Sequence, residues 1–106
     1  MSKAITIATP QSWNELVSRV RRAAADRGIQ AKQKTFQKVT SATFGYPHEN
    51  AVYSNLPLEV SVDDYAGSRL SQLLAVQVQQ LLSPDSAAAV LSEALSSFSS
   101  SQAGAS

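Results

Sequence analysis

With 106 residues, 43% of them hydrophobic and 16% charged, the chain has room for one domain and a globular composition, which excludes a multidomain or disordered reading. It has no cysteine, so disulfide frameworks and thiolate chemistry are excluded, and neither a bilayer-spanning apolar run of about 20 residues nor a secretory leader is expected. The net charge of +1 hides an asymmetry: residues 1–50 carry eight basic against three acidic groups, residues 51–106 one against five, which suggests a polyanion partner or a complementary contact between subunits.

In chain order, Lys3 to Thr9 alternates, with Ile5 and Ile7 on one face, and predicts a short strand that Pro10 ends. Ser-Trp-Asn-Glu at 12–15 spells a capping box, with Ser12 as cap and Glu15 reaching back. A helix from Trp13 to about Arg27 follows on Trp13, Leu16, Val17, Val20 and Ala24, with Gly28 placed as its C-cap. Ala31 to Phe44 is rich in Thr, Val and Phe, and Thr35 to Thr40 is its best strand. Gly45 to Asn50 reads as a loop. Val52 to Val62 alternates clearly: Leu56, Leu58, Val60 and Val62 lie on one face, and Tyr53, Asn55, Glu59 and Ser61 on the other, with Pro57 marking an edge or a bulge. Asp63 or Asp64 then caps a leucine-rich helix running to about Leu82, in which Gly67 weakens the first turn. Ser83 caps a third helix with Pro84 at its first position and Val90, Leu91, Ala94, Leu95 and Phe98 on its apolar side. Residues 1–98 are thus expected to form a single domain and 99–106 a flexible tail.

The inventory of reactive groups is sparse. One histidine, His48, and no cysteine leave no zinc or triad constellation of the usual kinds, and Gly28, Gly45, Gly67 and Gly104 are scattered singly, not gathered in a phosphate loop. Helix capping accounts for Asp63 and Asp64 more simply than a paired acid site. The expectation is a protein that is not an enzyme and takes no cofactor, metal or small-molecule substrate.

Two segments could bind. If Lys32 to Lys38 is a strand, Lys32, Lys34, Phe36 and Lys38 share one face, and such a face can neutralise phosphates and stack an unpaired base. An edge strand guarded by lysines would look the same. Arg19, Arg21, Arg22 and Arg27 would extend the patch, or simply form a solvated helix face. On the later strand, the face of Tyr53, Asn55, Glu59 and Ser61 offers a stacking ring and an amide fork for a base edge, or else is only the polar side of an amphipathic strand.

The order of parts, Tyr53-Ser54-Asn55 on a strand, an amphipathic helix, then Leu81-Leu82-Ser83-Pro84 and a second helix, resembles the coat proteins of single-stranded RNA bacteriophages over about Lys32 to Phe98. The resemblance implies an α+β fold: a small antiparallel sheet with an N-terminal helix and two C-terminal helices, in an intertwined dimer with one continuous sheet. It also implies a capsid subunit that assembles from dimers into an icosahedral shell and packages single-stranded RNA on its inner sheet face. Tyr53 and Asn55 match the Tyr-x-Asn of the family's RNA site, and Lys38 is similar to a phosphate-contacting lysine. The implied partners are copies of itself and single-stranded RNA, with no membrane, and the implied location is the virion, or the bacterial cytoplasm during assembly. A small dimeric nucleic-acid-binding regulator, or a protein–protein adaptor, are the rival readings.

Overall fold

The computed structural model describes residues 4–61 and 65–104. In chain order the elements are strand β1 (Ala4–Ile7), helices α1 (Pro10–Ala25), α2 (Gln33–Thr43) and α3 (Glu49–Ser54), strand β2 (Leu58–Ser61), and helices α4 (Ala66–Gln77) and α5 (Pro84–Gly104). The expected α+β sheet protein is therefore corrected to a mostly helical one. Its only sheet among the described residues is the β1–β2 ribbon, so the continuous sheet of an intertwined dimer has no counterpart.

The four longer helices form a ring, in which α1 packs on α2 and α5, and α4 packs on the same two. Their apolar stripes meet inside. Trp13, Leu16, Val17 and Val20 come from α1, Phe36 and Val39 from α2, Leu70 and Leu74 from α4, and Leu91, Leu95 and Phe98 from α5; all are fully or almost fully buried. Trp13 meets Phe44 edge to face, with ring centroids 6.4 Å apart. The ribbon adds to this core through its inward residues. Ile5 pairs with Val60 and Ile7 with Leu58 in antiparallel register, all four buried, while Thr6 and Glu59 face out.

The first helix starts earlier than its spelling suggests. Thr9, not Ser12, is the N-cap: its side chain accepts from the Ser12 N–H at 3.1 Å, and Pro10 supplies the first helical position. Glu15 pairs with Arg19 one turn on. At the other end Gly28 has φ +87°, and the Ile29 N–H bonds back to the Ala24 carbonyl at 3.0 Å, so the expected glycine stop is in place.

Segment 32–44 is the main correction. Thr35 to Thr40 is helix, not strand. Phe36, Val39, Thr40 and Thr43 are buried at i, i+3, i+4 and i+7, a helical stripe in which two threonines take positions usual for apolar residues. Ser41 and Thr43 return their hydroxyls to the carbonyls of Gln37 and Val39, one turn back.

The long second strand also contracts. Residues 49–54 are helix α3, the Leu56–Pro57 peptide is cis, and only Leu58–Ser61 is strand. Val62, Asp63 and Asp64 lie outside the described residues, and the capping expected of the two aspartates with them. Helix α4 ends at Gln77, not Leu82, and Gln79 at φ +60° turns the chain back. In α5 the expectation holds: the Ser83 hydroxyl accepts from the Ser86 N–H, and Pro84 opens the helix. The helix continues to Gly104, through residues expected to form a tail.

Candidate nucleic-acid interface

The polar surface is best built from the seam between α1 and α2. Gln33 donates to Ser18 at 3.0 Å, and Gln37 donates to Asn14 at 2.7 Å. The two contacts are one helical turn apart and run in opposite chain directions, so the helices are antiparallel here and an amide ladder closes their outer edge. The Tyr53 hydroxyl donates to the same Asn14 oxygen at 3.4 Å, which fastens α3 to the seam. Partial burial raises the Tyr53 hydroxyl above its ordinary pKa, and the nearby Glu49 carboxylate adds to this.

One step outward from the seam stand Lys34 and Lys38, both exposed and one turn apart on α2. Lys32, the N-cap residue, is exposed too. Helix α2 contains no acidic residue, and among the described residues none of the three lysines is in an ion pair. On α1, Arg21 is exposed, and helical spacing puts it on the line of Asn14 and Ser18, extending this face.

The other three arginines face α5. Arg19 pairs with Glu15 at 2.8 Å and bonds the Ser97 hydroxyl. Arg27 grips Glu93 with both terminal nitrogens, at 2.8 and 3.1 Å. Hydrogen bonding in that fork raises the Arg27 pKa and lowers that of Glu93. Arg22 lines an open groove of about 160 Å³ together with Arg19, Asp26, Glu93 and Ser97, where opposite charges balance.

The sequence-expected site is thus partly assembled and partly dispersed. Lys34 and Lys38 share a surface, though on a helix, and Lys32 is exposed at its N-cap. Phe36 points the other way and is fully buried, so its ring cannot stack a base. Tyr53 and Asn55 are not on a strand: Tyr53 is half-buried on α3, and Asn55 is the exposed C-cap of that helix, its side chain spent on the Ala51 carbonyl at 2.6 Å. Glu59 is exposed on β2 and Ser61 ends that strand, on the ribbon and not on α2. The strand expectation for residues 35–40 hides the Asn14–Gln37 and Ser18–Gln33 ladder, although the i, i+4 spacing of Gln33 and Gln37 is a helical signal. Among the described residues no group of three His, Cys, Asp or Glu side chains is placed to hold a metal ion. No helix there is long and apolar enough to cross a membrane.

No family model, curated protein or solved structure matches the chain.

Proposed function

We propose that this protein binds nucleic acid through the sugar-phosphate backbone, using Lys32, Lys34 and Lys38 of α2 with Arg21 of α1. The observation that carries this reading is the exposed Lys34–Lys38 pair on a helix that has no carboxylate of its own. Cations placed so on a rigid element release counterions when they meet phosphates, which supplies affinity without base readout. The burial of Phe36 removes its ring from this face, which favours backbone contact over stacking of an unpaired base on it.

Fluorescence anisotropy with labelled single-stranded RNA and duplex DNA, titrated over salt, tests the reading. Four neutralised phosphates give a slope of log K against log salt of about −3 on a single strand. Lys34→Gln and Lys38→Gln should each weaken binding on every sequence and flatten that slope by about 1. Absence of binding at about 50 mM salt, or a slope unmoved by both substitutions, overturns the proposal. Electron microscopy of the same preparation examines the coat likeness separately, since closed particles need no helix-borne lysine face.

A further inference from the structure

The amide ladder between α1 and α2 leaves polar groups open toward water. In the rung of Asn14 and Gln37, the Asn14 oxygen accepts twice, from Gln37 at 2.7 Å and from the Tyr53 hydroxyl at 3.4 Å. That fills its two lone pairs. Among the described residues, the Asn14 amide N–H groups and the Gln37 amide oxygen make no bond. Both residues are half-buried, yet neither open group is one of the buried polar atoms that lack a partner, so both groups meet solvent. Turning both amides over exchanges their roles and again leaves one donor and one acceptor open.

A donor and an acceptor held side by side form a fork. A side-chain amide grips adenine with such a fork, through the amino group and a ring nitrogen. The neighbours say what this fork meets. Lys38 follows Gln37 directly and Lys34 stands one turn earlier, both exposed and neither in an ion pair among the described residues. A strand whose phosphates rest on these two ammonium groups brings its bases beside the seam. An acidic protein face would also meet the lysines, but a carboxylate has no donor for the Gln37 oxygen, whereas a base edge has both kinds of group.

Reach decides between paired and unpaired bases. Two packed helices, each about 10–12 Å across, are together about 20 Å wide, and the seam runs along their middle. The major groove of DNA is about 12 Å wide, so the seam does not descend to the base edges of a duplex. An unpaired strand offers those edges directly.

We propose that the Asn14–Gln37 rung is the base-reading element of the α2 face, gripping one adenine edge of an unpaired strand that Lys34 and Lys38 hold by its phosphates. This rests on the reading of that face as a nucleic-acid site. The Gln37 oxygen accepts from the adenine amino group, and the Asn14 amide donates to the ring nitrogen beside it. The lysines supply affinity and the rung supplies preference. Tyr53 is a positioning residue: its hydroxyl fixes the Asn14 oxygen and so aims the open amide outward.

Fluorescence anisotropy with two single strands of about 12 nucleotides tests this, one all uridine and one with adenines at its centre. The strands carry the same phosphates, so a difference between them comes from the bases. The wild-type chain should bind the adenine strand at least about fivefold tighter, and duplex DNA with or without the same adenines equally well. Gln37→Met, which removes the amide and keeps a good helix former, should bring that ratio to about 1 with the salt slope unchanged. Tyr53→Phe, which removes only a hydroxyl, should lower the ratio, again at unchanged slope. Lys38→Gln should do the reverse, weakening both strands alike and flattening the slope while the ratio stands. Equal binding of the two strands by the wild-type chain overturns the base-reading rung and leaves the phosphate reading standing, as does a ratio that neither Gln37→Met nor Tyr53→Phe lowers. Absence of binding to either strand at about 50 mM salt overturns both readings.

Discussion

Gly67 shows how one missing side chain sets a distance between helices. A Cβ built there would lie 2.6 Å from the Pro84 carbonyl oxygen and 2.8 Å from the Ala88 Cβ. Both neighbours belong to the first turns of α5, and one is backbone, so neither can swing aside. Helix propensity alone would reward Gly67→Ala by up to about 1 kcal/mol. Overpacking a close helix contact costs about 1–3 kcal/mol, and it wins because the clash is with main chain. Gly67→Ala is therefore expected to lower stability, seen as a lower urea midpoint with unchanged slope; a raised midpoint would mean that α5 can move away at little cost.

At the scale of the element, α2 carries the functional reading and has little local support for a helix. Its residues 35–40 include Thr, Phe, Val and Thr, types that favour strands. It has no side-chain N-cap bond and no acidic residue in its first turn. What holds it helical is burial of Phe36, Val39, Thr40 and Thr43 against α1 and α4, together with the Gln33 and Gln37 bonds to α1. Short helices without such packing are marginal in water. A synthetic peptide of residues 31–45 should accordingly show little helical circular dichroism, whereas the full chain shows a mostly helical spectrum. A strongly helical peptide would transfer the cause from packing to local preference. The lysine spacing on which the proposed phosphate contact would rely thus exists only in the assembled molecule.

For the whole molecule, polar bonds outside the apolar core also tie α1 and the turn after it to α5. The Arg27–Glu93 fork and the Arg19–Ser97 bond join residues far apart in sequence and fix α5 antiparallel to α1. Glu93 is held below its ordinary carboxylate pKa by its hydrogen bonds to Arg27. A depressed carboxylate stabilises the fold above its unfolded value, near about 4.3, and the contribution is lost as pH falls through the folded value. The raised Arg27 pKa adds nothing visible on the acid side, because the guanidinium stays charged throughout. Glu93→Gln should therefore reduce the loss of stability on acidification below about pH 4.5 and leave the flat part of the curve near neutral pH flat. Acid titration of the melting temperature for both proteins checks this; superimposable curves would show the clasp to be energetically idle.

Across these scales, the sequence determined what depends on near neighbours and on hydrophobic spacing. The stripe of α1, the Gly28 stop, the Ser83–Pro84 start of α5 and the inward alternation of Ile5, Ile7, Leu58 and Val60 were all legible, because each is set within a few residues. The exposed lysines of residues 32–38 were legible as a basic surface, since lysine is seldom buried. Their helical geometry was not. Thr40 and Thr43 occupy core positions that their polarity disguised, and only the neighbouring α1 and α4 decide that their hydroxyls go inside. Tyr53 and Asn55 fitted an alternating strand as well as a short helix, and the bond from Tyr53 to Asn14, 39 residues away, is beyond any local pattern. Which side of an amphipathic helix is spent on its own core, and which is left to solvent, is settled by the packing of distant elements.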